Sequence, residues 1–241
     1  MSLFVLADLH LSTSLDKPMD VFGVRWHSYM QKINDGWRAV VGENDTVIVP
    51  GDISWGISLE EAESDLRFLD SLPGKKIIGR GNHDYWWSSA KKIEELFEKT
   101  GITTISLLHN NAHIVENTVI CGSRGWWNDE KNAPKDADYE KLVLREAGRL
   151  EYSIKRGIEL WQQNGCEGEP EILAFLHFPP IFREYDCPEI RAVLEKYSVK
   201  KCFFGHIHAQ YDMSQSFEYN GVRYSIISAD FLNFIPHKIR L

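Results

Sequence analysis

An α/β fold follows from two features of the sequence. Early in the chain, three short apolar runs (3–7, 46–49 and 76–78) alternate with segments whose apolar groups recur at helical spacing. That is the order of strands and helices in an α/β sheet. The residues able to do chemistry also sit directly after apolar runs: Asp8-Leu9-His10, Gly51-Asp52, Gly81-Asn82-His83-Asp84, His177 and Gly205-His206-Ile207-His208. Sheets of this class place their ligands at the carboxyl ends of the strands.

Each element has a local reason. The run 3–7 is continuous, as in a strand buried on both faces, and Asp8 and His10, two apart, point to one side if the chain stays extended. Residues 25–41 carry Trp26, Met30, Ile33, Trp37, Val40 and Val41 at helical spacing. Thr46-Val47-Ile48-Val49 is the next strand, ended by Pro50-Gly51-Asp52. Ser58 and Glu61 form a capping box that opens a helix through Leu66 and Leu69 to the stop at Pro73-Gly74. Lys76-Ile77-Ile78 is a third strand, and a helix runs from Ser89 to Lys99 with Gly101 past its end.

Residues 103–122 read as antiparallel strands around Glu116-Asn117. A long helix from Ala137 to Gln163 carries Val143, Ala147, Leu150, Ile154, Ile158 and Trp161 on one stripe. Asn164 to Pro170 is a surface loop. Residues 172–176 form a strand ending at His177, residues 188–197 a helix, and residues 202–204 a strand ending at Gly205. The last strands pair across Asn220-Gly221, a strong hairpin signal. No repeat or linker divides the chain, so one domain over 1–241 is expected.

Bulk properties narrow the function classes. The chain has 241 residues, 43% hydrophobic, with a formal net charge of -8. That charge argues against holding long nucleic acid on a broad basic face, and phosphate binding would need cations to supply positive charge locally. No stretch reaches the ~18 apolar residues of a membrane span. The four cysteines (Cys121, Cys166, Cys187, Cys202) are scattered. Without a basic leader, free thiols and a cytoplasmic location are expected.

Five strand ends supply Asp8, His10, Asp52, Asn82, His177, His206 and His208. That is more than one ion takes and suits two ions sharing a bridge. A carboxylate can bridge, so Asp52, the lone acid of its segment, is the natural shared ligand. The ordered set resembles the calcineurin-like metallophosphoesterase superfamily, with all five segments present in that family's order. The resemblance implies a four-layer αββα sandwich of two mixed β-sheets flanked by helices, and a dinuclear site. It implies one metal at Asp8, His10, Asp52 and His208, and another at Asp52, Asn82, His177 and His206. Two departures stand out: Ile53-Ser54-Trp55-Gly56 lacks the second acid many relatives carry, and Phe178 follows His177 where another His is common.

The chemistry expected is hydrolysis of a small phosphomonoester or phosphodiester by a metal-bound, bridging hydroxide. Mixed nitrogen and oxygen ligands suit Mn, Fe or Zn. No enzyme nucleophile is needed, so His83 is free to protonate the leaving oxygen, with Asp84 orienting it. Trp55, Trp86, Trp87, Trp126 and Trp127 fall in loops and are candidates for core packing or for an aromatic rim over the metals, suited to a nucleotide or aryl group. Arg124 is a candidate second phosphate contact and Arg80 a weaker one. The alternatives are a nuclease or cyclic-nucleotide phosphodiesterase, and behind them a phosphoprotein phosphatase or a non-catalytic scaffold. No membrane partner is expected, and the oligomeric state is not legible.

Overall fold

The computed structural model describes residues 1–15, 17, 19–127 and 138–240. Its strands begin with β1 (Leu3–Val5), β2 (Thr46–Pro50), β3 (Lys75–Gly79), β4 (Ile105–Leu107), β5 (His113–Val115) and β6 (Thr118–Ser123). They continue with β7 (Glu171–Leu176), β8 (Ile181–Phe182), β9 (Tyr185–Asp186), β10 (Lys201–Phe204), β11 (Ser216–Tyr219), β12 (Val222–Ile226) and β13 (His237–Lys238). The α-helices are α1 (Tyr29–Val40), α2 (Leu59–Ser71), α3 (Ala90–Thr100), α4 (Tyr139–Gln163) and α5 (Pro188–Lys196).

Two mixed sheets result. One has the order β13-β1-β2-β3-β4, the other β11-β12-β10-β7-β6-β5. In the first, β1 to β4 are parallel and only the β13 edge is antiparallel; in the second, the central strands are parallel and both edge pairs are antiparallel. Residue alternation along the strands explains the layering. Phe4, Val47, Val49 and Ile78 turn to one face of the first sheet and pack with Ile33 and Trp37 of α1, Leu66 of α2 and Phe97 of α3. Leu3, Val5, Ile48 and Ile77 turn to the opposite face, where they meet Ile120, Leu173, Phe175 and Phe203 of the second sheet. The outer face of that sheet, including Val119, Ile172 and Phe204, packs on α4 and α5 through Leu150, Ile154 and Leu194. Helix, sheet, sheet, helix is the four-layer order, with apolar burial on both faces of each sheet as its main support.

The sheets are joined at the end where the polar segments lie. Ala7, just past β1, donates to Ile227 O at 2.8 Å and accepts from Ala229 N at 2.9 Å. Beyond it, Asp8 N donates to Gly51 O at 3.1 Å and His10 N to Asp52 O at 2.9 Å.

Three expectations change. The helix expected from residue 25 is broken: Val24–Trp26 is a 3-10 turn and α1 starts at Tyr29, after Ser28 at φ 53. The break lets Trp26 leave the helical stripe. β4 is not part of an antiparallel group with β5 and β6 but runs parallel to β3 in the first sheet; only β5 and β6 pair antiparallel, across Glu116 at φ 52. The long helix begins at Tyr139, capped by the Asp138 side chain, and residue 137 lies outside the described residues. The other caps are as read: Ser58 accepts from Glu61 N, and Ser89 from Lys92 N. Asn220 and Gly221 both take positive φ between β11 and β12, as a type I′ hairpin turn needs.

Candidate metal centre

The polar segments converge. Asp8, His10, Asp52 and His177 are all at most 2% exposed. His177 Nδ1 lies 3.7 Å from Asp8 Oδ1, and its Nε2 lies 3.6 Å from Asp52 Oδ2 and 2.6 Å from Asn82 Oδ1. His10 Nε2 is 3.7 Å from Asp52 Oδ2, and His208 Nε2 is 3.9 Å from Asp8 Oδ1. Among the described residues, two groups have donor atoms close enough to hold a cation: Asp8, His10 and His208, and Asp8, Asp52 and His177. The His206 ring belongs to neither group, but its centroid is 5.3 Å from that of His177. Its backbone N–H donates to both oxygens of Asp8 at 3.0 Å.

The local backbone is bent to make this possible. Asp8, His10, Asp52 and His206 all have φ between 47 and 68, a left-handed conformation that costs a non-glycine residue about 1–3 kcal/mol where it is strained. Glycines admit the carboxylates. A Cβ on Gly81 would stand 2.1 Å from Asp52 Oδ1, and one on Gly205 2.5 Å from Asp8 Oδ2.

The donor set fits cations. Among the described residues, Asp52 Oδ2, His10 Nδ1 and His177 Nδ1 are buried without a hydrogen-bond partner, which is rare for polar atoms in a protein interior. Burial pushes Asp8 up to about 6. Burial, with Asp8 and Asp84 nearby, raises Asp52 well above the carboxylate range. Burial and neighbouring imidazoles hold His10 and His177 well below the usual histidine value. Metal ions would supply the missing positive charge, ionise the acids and use the neutral imidazoles as ligands.

Asp84 has a different job from the one expected of it. Among the described residues its carboxylate accepts from the backbone N–H groups of Asp52 (2.9 Å), Ile53 (2.8 Å), Ser54 (3.3 Å) and Gly81 (2.7 Å), and from the Trp86 indole (3.0 Å). None of these bonds goes to the His83 ring, whose Nδ1 has no partner among the described residues. Consecutive side chains diverge, and Asp84 points into the protein while His83 stays half-buried. The orienting carboxylate is instead Asp230. It takes the His208 Nδ1 at 2.7 Å and accepts from Ala209 N and Tyr211 OH. Sequence reasoning missed it, although Asp230 follows β12 just as Asp8 follows β1.

The aromatic residues divide. Trp55 is at the site, its ring stacked on His10 at 5.0 Å and 4.7 Å from His83. Trp86 is not on a rim: it is 2% exposed and bonded to Asp84. Trp87 is also buried, against Trp86. Trp126 is half-buried beside Phe178 at 6.4 Å, while Trp127 stacks on Tyr185 at 4.2 Å and lies 5.6 Å from His206. Trp26, read as part of a helix, reaches the site instead, 5.9 Å from His10 and 5.7 Å from His208. With Met19, Phe22, Trp55, His10, His83 and His208 it walls a cavity of ≈ 290 Å³. Arg124 lines a separate cavity with Arg80.

No described helix is long and apolar enough to cross a membrane. A comparison with curated proteins finds no match. Among solved structures, the phosphopantetheinyl hydrolase of Mycobacterium tuberculosis aligns over 99% of this chain and 95% of its own, at 14% identity and TM-score 0.55. A protein of Thermus thermophilus aligns over 99% and 97%, at 11% identity and TM-score 0.53. At such identities these two establish a shared fold. The family described as calcineurin-like phosphoesterase matches residues 1–210. With that match across most of the sequence and cation-ready donors clustered at the strand ends, the chain belongs to the calcineurin-like phosphoesterases, metal-dependent hydrolases of phosphate esters.

Proposed function

We propose that the chain hydrolyses a small phosphate ester at two metal ions that share Asp52. The observation carrying this reading is the isolation of Asp52 Oδ2, buried and unpartnered between His10 Nε2 at 3.7 Å and His177 Nε2 at 3.6 Å. Asp8, His10 and His208 would complete one ligand set with Asp52, and Asn82, His177 and His206 the other. Mixed nitrogen and oxygen donors favour Mn, Fe or Zn over Ca. Bound there, such ions lower the pKa of water and offset charge on a phosphoryl group.

The protein's own groups do the rest. His83 lines the aromatic cavity together with His10 and His208, within reach to give a proton to a departing oxygen bound there. Burial first, then His208 and Lys17, lower its pKa, which makes its imidazolium a stronger acid toward a leaving alkoxide. Asp84 ties the Asp52 segment to Gly81, and Asp230 fixes the His208 tautomer. Trp55 and Phe22 offer flat apolar surface to the leaving group, and the buried Trp26 backs His10 and His208. That lining favours an aryl ester or a nucleotide, as mono- or diester, over a phosphoprotein.

The test is turnover of p-nitrophenyl phosphate and of its bis-ester after chelation and after Mn2+ is added back, with metal content measured alongside. Two ions per chain and restored turnover of at least one ester are the expected results. Full activity after complete metal removal, or metal binding with neither ester cleaved, would end the proposal.

A further inference from the structure

A second polar cavity, of ≈ 230 Å³, lies outside the proposed ligand sets. Among the described residues four guanidinium groups line it, from Arg80, Arg124, Arg145 and Arg149, with His109 and a single carboxylate, Glu146. In a chain of net charge -8, an excess of three positive charges among these described lining residues opposes the global balance. Glu146 does not absorb it. Its side chain is fully buried, with Oε1 2.7 Å from Arg149 Nη1 and 3.7 Å from Arg145 Nε. Among the described residues, Arg80 Nε is buried without a partner, and the Arg124 guanidinium lies over the rings of Trp126 (5.5 Å) and Phe178 (5.9 Å) with no carboxylate within ion-pair distance. Burial lowers the Arg124 pKa; Glu146 opposes that shift, and Arg80, Arg145 and Arg149 add to it. An unmet buried donor costs about 1–3 kcal/mol, more when charged, and an oxyanion meeting several guanidiniums at once removes that cost.

The cavity is next to the proposed centre along the chain. Arg80 immediately precedes Gly81-Asn82. Arg124 O accepts from Phe178 N at 2.9 Å, one residue past His177, and Ser123 pairs with Leu176, one residue before it. The cavity therefore borders the Asn82 and His177 segments, whereas the aromatic cavity borders His10 and His208.

We infer that the arginine cavity binds a phosphate-type dianion, a second phosphate on the ester whose first phosphate is cleaved. This rests on the hydrolase reading above and narrows its substrate class to organic bisphosphates. The same chemistry would seat a free phosphate ion, so the test has two arms.

The first arm titrates inorganic phosphate into chelator-treated protein by calorimetry, which disables the metal centre and leaves the arginines. Saturable binding is expected, weakened about tenfold or more in Arg145→Gln and Arg124→Gln and by added salt. The second arm compares kcat/KM of the metal-loaded enzyme for adenosine 3′,5′-bisphosphate and adenosine 5′-monophosphate. A preference of about tenfold or more for the bisphosphate, falling toward parity in Arg145→Gln, supports a substrate-borne phosphate. Phosphate binding with equal turnover of the two esters supports the anion site and assigns it to the free ion. Phosphate binding with no ester cleaved would sink the hydrolase reading and leave the anion site standing. Absence of saturable phosphate binding, or binding unchanged in both arginine variants, overturns the inference.

Discussion

The carboxylate of Asp84 receives the backbone N–H of Asp52 at 2.9 Å, so one buried acid shapes the segment that presents another. Its remaining acceptor positions hold Ile53, Ser54, Gly81 and the Trp86 indole. Asp84→Ala leaves all these donors unmet. We expect a stability loss of about 3–5 kcal/mol in urea denaturation, together with reduced metal content. A variant of native stability and full metal content would mean that water replaces the carboxylate.

His83 should behave in the opposite way. His83→Ala is expected to lower kcat by about 10²–10⁴-fold while metal content stays at the wild-type level. Elemental analysis beside steady-state kinetics checks it. Stoichiometric loss of an ion in this variant would identify His83 as a ligand and not as the acid.

Asp230 acts through His208. In Asp230→Asn the anionic acceptor for His208 Nδ1 is gone, and metal affinity should fall about 10–100-fold, as it does when an outer partner of a ligating histidine is changed. Competition with a fluorescent chelator measures this. Unchanged affinity would show that backbone packing alone sets the orientation of the ring.

Gly81→Ala tests the fit between the two segments. Its Cβ would fall 2.1 Å from Asp52 Oδ1, a separation no relaxed structure tolerates, so either the carboxylate or the 81–84 turn must move. Activity should drop by at least about 100-fold, since a shift of an ångström at a reacting centre costs that much. Wild-type turnover would place the Asp52 carboxylate elsewhere.

Chelation should also be visible in stability. An ion that binds only the folded chain stabilises it by about 2.7 kcal/mol when present at 100 times its Kd. The melting temperature of chelator-treated protein should therefore be lower and should recover with added Mn2+. An unchanged melting temperature would argue that the buried donors hold no ion.

Much of this centre was legible because strand ends are legible. Continuous apolar runs located β1, β2, β3, β7 and β10, and the polar residues that follow them could only gather at one edge of the sheets. What was hidden depended on direction within a segment. His83 and Asp84 are neighbours in sequence, yet their side chains diverge, so adjacency suggested a pair that folding separates. Trp26 kept helical spacing with Met30 and Ile33, but the left-handed Ser28 interrupts the helix and sends the indole to the histidines. Asp230 was overlooked because it stands alone after β12, without a histidine or glycine beside it to mark the spot. β4 is three residues long, and so short an apolar run carries no information about which sheet will take it.

The stitch made by Ala7 to Ile227 and Ala229 has a consequence for how damage would spread. Asp8, His10, Asp52 and Asn82 follow strands of one sheet, and His177, His206 and His208 follow strands of the other. Cations gripped by both groups would act as a clasp across the seam. Small slippage between the layers, as from trimming the stacked Phe175 and Phe203, would then show itself first as weakened metal retention, well before the chain lost its shape.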